Sequence, residues 1–433
     1  MKTGLNIQKI ITLAFLTIIW NTLTSSSLPL DQILLPDEFI ITEFATGIED
    51  ARSLAIGPEG TLFVGTRTNG RVWAVLDTND DSKADRKVII ASGLTNPNGV
   101  AFHGEDLYIA ERSRILKYSN IEKNINQPPP PEVIRDDFPS EQHHGWKYIA
   151  FGPDGYLYVP IGAPCNICLE NDRRFASITR MKPDGSDFTI FAEGIRNTVG
   201  FDWHPETKEL WFTDNGRDNL GDTIPSDELN RAETAGKHFG FPFCHAGNIS
   251  DPQFGNQRSC NEFTPPVAKL GAHVAALGMK FYTGTMFPSQ YRNRIFIAEH
   301  GSWNRSEKVG YRIITVDTRT NPPDTSVFAS GWLQKGQVWG RPVDILIYKD
   351  GSILVSDDHA GAIYRISYTP STNIRNVLKN RFVQKGSDNS LRLTTHKQVD
   401  LQGKLILPGN VFSPALRINT TTGKSELFPD YPF

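Results

Sequence analysis

Cysteine and methionine are scarce in this chain, four of each in 433 residues. Cys165-Asn166-Ile167-Cys168 is followed by Leu169 rather than histidine, so no haem-attachment motif is present. Neither sign of charge dominates: 45 Lys and Arg stand against 48 Asp and Glu, a formal net charge of −3. There is no basic stripe, which argues against nucleic acid as a partner. A long apolar run is missing too. Ile10 to Trp20 is short for a membrane span and nothing later in the chain qualifies. With Lys2 and Lys9 ahead of it and Ser25 to Ser27 behind, residues 1–27 read as a secretory signal peptide, an uncleaved anchor being the alternative. The expected location is therefore extracellular. There, Cys165–Cys168 and Cys244–Cys260 are expected as two local disulfides; the zinc reading fails because the second pair lacks knuckle spacing. The sequons at Asn248, Asn304 and Asn419 permit glycosylation.

What the chain has in quantity is one phrase repeated. Gly99-Val100-Ala101-Phe102, a turn, and Leu107-Tyr108-Ile109-Ala110 form one copy. Ile149 to Val159 and Val343 to Val355 form others, each an apolar strand, a Gly- or Asp-Gly-containing turn and a second apolar strand. Equivalent inner-strand positions fall at Leu54, Val100, Ile149, Phe201, Met279 and Ile345. The first intervals are close to the ~40–50 residues of a four-stranded blade; the longer one after Phe201 is assigned an insertion over Asn215 to Pro266. Stacked sandwich domains are the rival, but one motif in one register favours radial repetition. The expectation is an all-β, six-bladed propeller over residues 38–368. The segment from Gln127 to Glu132, with four prolines, is expected as an exposed loop between blades two and three. Residues 369–433 form a C-terminal extension, either a tail packed on the propeller or a partial further blade, with strand-like pieces at Leu391 to Leu393, Leu405 to Leu407 and Ala415 to Ile418.

In a propeller, function concentrates where the loops converge on the channel mouth. The positions just before the inner strands hold Arg52, His143, His144, Arg196, Asn197, His273 and Arg341. The loops after the second strands hold Arg67, Arg112, Asn215 to Asp222, His300 to Arg305 and Asp357 to His359. Several arginines, histidines and an aromatic aimed at one axis make an anion-attracting cup that also suits a flat ring.

The run His144-Gly145-Trp146-Lys147-Tyr148-Ile149-Ala150-Phe151-Gly152-Pro153-Asp154-Gly155 resembles the catalytic-histidine segment of soluble quinoprotein sugar dehydrogenases. So does Ala192-Glu193-Gly194-Ile195-Arg196-Asn197 followed by Gly200-Phe201-Asp202. Ala298 to Asn304 and Arg341-Pro342-Val343-Asp344 resemble the sorbosone dehydrogenase and fungal pyranose dehydrogenase branch. The resemblance spans residues 38–368. It implies a propeller carrying pyrroloquinoline quinone (PQQ) and calcium at its mouth, a sugar substrate and an external electron acceptor. His144 matches the general base that takes a sugar hydroxyl proton while hydride passes to the quinone C5 carbon. His143 is the fallback, expected to face away because strand neighbours alternate. Arg196 and Asn197 match the pair that contacts the ortho-quinone; Arg52, His300, Trp303, Arg305 and Arg341 are assigned to the cofactor by position around the mouth.

For calcium the resemblance points to the backbone carbonyls of Gly216 and Arg217, with Asp218 or Asp222 nearby as carboxylate ligands. A second place is Asp77 to Asp85, whose oxygens alternate like the first half of a calcium loop but which lacks the sixth-position glycine (Ser82) and the acidic twelfth residue (Val88). Two competing functions stand beside the dehydrogenase: a calcium-dependent propeller hydrolase such as a lactonase, and a cofactor-free binding propeller.

Overall fold

The structure, a computed structural model, describes residues 28–370 and four two-residue strands beyond them. Each copy of the repeat becomes a four-stranded antiparallel sheet. Blade one comprises Ala51–Ile56, Leu62–Thr66, Val72–Leu76 and Arg86–Ala91. Blade two comprises Gly99–His103, Asp106–Ala110, Ile115–Tyr118 and Glu132–Arg135. Blade three runs from Ala150–Phe151 through Leu157–Ile161 and Ser177–Met181 to Thr189–Glu193. Blade four takes Phe201–Trp203, Leu210–Asp214, Ser226–Ala232 and Ala268–Ala272; blade five takes Ala276–Phe281, Ile295–Glu299, Arg312–Asp317 and Asp324–Ser330. Blade six has Pro342–Ile347, Ile353–Asp357 and Ala362–Tyr368, and its outer strand is Phe39–Thr46 from the start of the propeller. That pairing joins the two ends of the repeat array and closes the ring. All six inner-strand positions read from the sequence fall on these first strands, except Ile149, which lies one residue before Ala150–Phe151.

No blade can bury both faces alone, and the six large apolar clusters are the six seams between blades. Phe63, Val72 and Ile90 of blade one meet Val100, Leu107 and Leu116 of blade two in one of them. Ile345, Tyr364 and Ile366 meet Phe296, Ile313 and Phe328 across the blade five–six seam. The remaining four seams are built the same way. Near the axis there is no room for side chains on some strands: a Cβ on Gly65 would lie 2.1 Å from the Asn98 carbonyl of blade two. The alternation of buried positions at period two is what the sequence displays as a repeat.

Two sequence expectations need correction. The proline-rich segment joins the third strand of blade two, Ile115–Tyr118, to its fourth, Glu132–Arg135, so it lies within that blade and not between blades two and three. The insertion is also narrower than Asn215 to Pro266, because Ser226–Ala232 is the third strand of blade four. The extra chain follows it. It carries Lys237–His238, which adds in parallel to the edge of blade three, and a small hairpin, Cys244–His245 with Ile249–Ser250. The Cys244–Cys260 disulfide closes this insertion, Cys165–Cys168 closes a loop after the second strand of blade three, and no cysteine is free. Beyond Pro370, Gln384–Lys385, Leu391–Arg392, Gln398–Val399 and Leu405–Ile406 pair antiparallel in a sheet of their own. The signal expected over residues 1–27, the piece Ala415 to Ile418 and the sequon at Asn419 lie outside the described residues. Among the described residues no helix is long and apolar enough to cross a membrane.

Candidate functional site

The starts of the inner strands and the ends of the second strands come to one end of the channel, where they enclose a cavity of about 290 Å³. Arg52, His144, Arg196, Asn197, Gly216, Asp218, His300, Trp303 and Arg341 all contribute to its wall. Arg67 and His273, present in the sequence inventory of the mouth, are there too, and Trp146 joins them. Val199, Leu277 and Val343 pack with Trp146 in a small apolar cluster, from which Leu277 and Trp146 reach the cavity wall.

His144 occupies a turn, with φ of +50°, a conformation unusual for a residue with a side chain. Its Nδ1 lies 2.8 Å from the Ala163 carbonyl; an N–H must fill that gap, which leaves Nε2 as the bare nitrogen. Burial, then Arg196 and His143, push the imidazole well below its ordinary value, so it stays neutral. Two further contacts hold this turn. Gly162 lies against it so closely that a Cβ there would be 2.5 Å from His144 Cβ. Beneath it, buried Lys147 donates to the carbonyls of Gly145 at 3.0 Å and Arg112 at 2.5 Å, and burial pushes its pKa down to about 7. His143 does not face away as strand alternation suggested. The segment is a turn, and the His143 ring packs edge-on against His144 with centroids 4.0 Å apart, exposed at the rim.

Two of the four guanidiniums in the wall, Arg52 and Arg196, are paired with carboxylates. Arg52 is 1% exposed; its Nε donates to Asn98 Oδ1 at 2.9 Å and its Nη1 to Asp358 Oδ2 at 2.8 Å. Asp358 also accepts from His300 Nε2 at 2.8 Å. Arg196 Nη2 pairs with Asp218 Oδ2 at 3.0 Å, while its Nη1 donates to the Asn215 carbonyl at 3.2 Å. Arg341 donates to the carbonyls of His300 and Gly301 at 3.3 and 3.1 Å. Arg67 has its guanidinium 5.0 Å from the Trp146 ring centre, and both Arg67 Nε and Trp146 Nε1 are buried without a hydrogen-bond partner. Burial, followed by Arg52, lowers the Arg67 pKa.

Buried carboxylates set the backbone of this wall. Asp214 accepts the N–H groups of Arg196 and Asn197 at 2.9 and 2.7 Å. Asp227 accepts those of Gly216 and Ala275 at 2.8 and 2.7 Å, and burial pushes it up to about 6. The motif aspartates Asp202 and Asp344 are inter-blade ties: they accept the N–H of Phe281 at 3.0 Å and of Leu54 at 2.8 Å.

Two assigned residues are not brought to the cavity. Arg305 lines the neighbouring cleft beside Arg312 and Tyr311 and donates to the Ala272 carbonyl at 3.4 Å. The Arg217 side chain is drawn into an ion pair with Asp251 of the insertion, where His245 Nε2 also bonds Asp251 at 2.8 Å. Trp303 is on the rim, 75% exposed. Asn304, in its sequon, points inward with Nδ2 at 3.4 Å from Asp218 Oδ1. Among the described residues no group of three His, Cys, Asp or Glu is placed to hold a metal ion. In the Asp77 to Asp85 loop the acidic oxygens accept the loop's own groups: Asp77 takes the N–H of Asp81 and Ser82, and Asp85 takes the N–H and hydroxyl of Thr78.

The sequence missed three participants. Trp146 stood in the quoted histidine run, but nothing local assigned it a wall position. Asp358 stood among the mouth residues, but its pairing with Arg52 spans the ring closure. Asn166 lay inside the Cys-x-x-Cys and signalled only a disulfide.

The fold is shared with solved propellers. The PQQ domain of pyranose dehydrogenase from Coprinopsis cinerea, in its holo form, superposes with a TM-score of 0.66 at 16% identity, over 77% of this chain and 97% of that one. The calcium structure of a Carbohydrate-Active Enzymes Family AA12 protein from Trichoderma reesei gives 0.66 at 18%, over 78% and 97%. The PQQ-bound aldose sugar dehydrogenase of Streptomyces coelicolor gives 0.54 at 20%, over 78% and 100%. In sequence, a protein of Borreliella burgdorferi described as uncharacterized is 36% identical over 355 residues, 77% of this chain and 90% of that protein. The TrAA12-like family matches residues 34–369, from just before the closing strand to the end of blade six, and the chain belongs to that family.

Proposed function

We propose that this protein is an extracellular quinoprotein that oxidises an aldose or keto-aldose with PQQ as cofactor and His144 as general base. The observation that carries the reading is a neutral histidine, its Nδ1–H fixed on Ala163, in the wall of a cup ringed by four guanidiniums. PQQ is a flat ortho-quinone with three carboxylates, and the donor set suits it. Arg52, Arg67, Arg196 and Arg341 supply charge-assisted donors, and the orphaned N–H groups of Arg67 and Trp146 are the kind a polyanionic ligand satisfies. When bound, PQQ supplies the two-electron sink that takes up hydride from the sugar carbinol carbon. His144 Nε2 receives the hydroxyl proton. Arg196 and the Asn197 carboxamide, which makes no protein hydrogen bond among the described residues, would hold the quinone oxygens and would stabilise negative charge there. Trp303 on the rim gives the sugar an apolar face. Electrons taken up by the cofactor would leave to an external acceptor.

For calcium, the chain itself offers Gly216, at the cavity wall, and Asp218, whose carboxylate is already paired with Arg196. That is not a cage, and no step is assigned to the ion. The hydrolase alternative would want free carboxylates on the channel, whereas Asp227 spends both oxygens on backbone N–H groups.

The test is a titration of the folded protein with PQQ, with and without calcium, followed by sugar-dependent dye reduction. A saturable change in visible absorbance is expected. His144→Ala is expected to bind PQQ within a few-fold of wild type while turnover drops by about 10²–10⁴-fold. No PQQ uptake by the wild type defeats the cofactor reading, and full activity in the His144 variant defeats the mechanism.

A further inference from the structure

We propose that Asn166, inside the ring closed by the Cys165–Cys168 disulfide, is a positioning residue that presets Arg196 and Asp218 at the cavity. This rests on the reading of the cavity as an anionic-cofactor site. Arg196 Nε donates to the Asn166 carbonyl at 2.9 Å and Nη2 donates to its Oδ1 at 3.0 Å. The same Oδ1 accepts the Asp218 N–H at 2.8 Å, and Asn166 Nδ2 donates to the Asp218 carbonyl at 3.1 Å. One half-buried residue thus engages both members of the Arg196–Asp218 pair with every polar group of its carboxamide. The disulfide spans only three positions, so the backbone presenting Asn166 has little freedom. Three residues earlier, and just outside the closed ring, Ala163 accepts the His144 N–H, so adjoining positions of one loop contact both the base and the arginine.

A buried guanidinium needs its donors filled, and Asn166 supplies two of the four partners Arg196 has. Loss of the Asn166 side chain removes the Oδ1 partner and leaves Arg196 the backbone carbonyls of Asn166 and Asn215 and the Asp218 carboxylate, so the guanidinium gains freedom that a ligand must remove on binding. The role is distinct from bulk stability because the contacts end at the cavity wall.

Phenylglyoxal labelling of the full-length, oxidised protein reads this directly, with peptide mapping of Arg196 and of Arg52 as internal reference for folding. In Asn166→Ala the labelling of Arg196 relative to Arg52 is expected to rise about tenfold or more, since each charge-assisted hydrogen bond lost is worth at least that in exposure equilibrium. PQQ affinity is expected to weaken about three- to tenfold. Asn166→Asp, which keeps the acceptor facing Arg196, is expected to restore protection. An unchanged Arg196-to-Arg52 ratio in Asn166→Ala overturns the proposal. If both arginines label fast because that variant unfolds, Asn166→Ser decides by the same ratio. Should the wild type take up no PQQ, the cofactor reading fails while the labelling ratio still decides the role of Asn166.

Discussion

Asp358→Ala is the substitution whose outcome follows most directly from the geometry. Asp358 lies where blades one, five and six meet, with Arg52 Nη1 on one oxygen and His300 Nε2 on the other, each at 2.8 Å. Burial works to raise its carboxyl, but His300 and Arg52 hold it well below the usual carboxylate range. Burial pushes His300 down to about 4, so near neutral pH the cluster is one ion pair plus a neutral donor. A carboxylate with a depressed folded pKa contributes stability above its unfolded value and loses it as pH falls through the folded one; at pH 7 the full contribution is present. Removing the carboxylate strands a guanidinium that is 1% exposed. Breaking a buried pair costs about 3–5 kcal/mol, and the adjoining cavity admits water to Arg52, which favours the lower figure. With ~2.1 cal/mol/K per residue at the midpoint, a propeller of this length has an unfolding entropy near ~0.7 kcal/mol/K, so ~3 kcal/mol lowers Tm by about 4 °C. Calorimetric melts at pH 7 would read it. The double variant Arg52→Met/Asp358→Leu is expected to recover most of the loss, because it leaves no buried charge. A Tm within about 1 °C of wild type for Asp358→Ala, or a double variant no more stable than Asp358→Ala, would refute the claim that this pair ties the ring together.

Gly162→Ala should act on turnover more than on folding: its Cβ would lie 2.5 Å from His144 Cβ, and a displacement near 1 Å in a catalytic group costs up to about 10²-fold. Wild-type turnover in that variant, measured by dye reduction with its Tm alongside, would show that His144 does not depend on this contact. Glu228→Gln should raise stability more at pH 8.5 than at pH 5. Burial, then Asp214, push the Glu228 carboxyl up, so the folded wild type loses stability as pH rises from the unfolded pKa through the folded one, a loss that glutamine does not have. Asn230 Nδ2 donates to Glu228 Oε2 at 2.9 Å, so the Asn230 carboxamide must turn its unpartnered Oδ1 toward the glutamine Nε2 to keep that contact. Equal Tm differences at the two pH values would contradict this.

The repeat was legible because its signals are local. Period-two burial and tight turns, such as that between His103 and Asp106, are written within a dozen residues, so the six inner strands could be placed without knowing how they meet. Pairings across long separations were not legible. Phe39–Thr46 on Ala362–Tyr368 is such a case, since an edge strand carries no mark of which blade it completes. The proline run and the insertion were misplaced for a related reason: a loop's composition says that it is a loop, not between which strands it runs.

The site divides along the same line. Residues at or shortly before an inner strand are delivered to the channel mouth by the blade, and Arg52, Arg196, Asn197 and Arg341 all reach the cavity wall, as does His144 from its turn. Residues further along a loop are aimed by their partners. Arg217 turns to Asp251 and Arg305 to the Ala272 carbonyl, and no spacing rule contains that information. His143 failed for a sharper reason, since alternation applies to strands and the φ of +50° at His144 makes the segment a turn.

The chain's balanced charge, which seemed at first to say nothing about a site, follows from how this cup is built. Four guanidiniums facing one cavity would repel each other strongly in a dry environment. Here Asp358 stands behind Arg52 and Asp218 behind Arg196, while Asp214 and Asp227 hold the wall's backbone through its N–H groups. Asp218 and Asp227 line the cavity with their oxygens already engaged, by Arg196 and by backbone N–H groups, so their charge offsets the arginines. A cup compensated in this way keeps its fold when empty, and an anion entering it gains the remaining N–H donors without first organising them. That arrangement requires nearly as many buried carboxylates as arginines, which is why a chain of net charge −3 can present a cationic mouth.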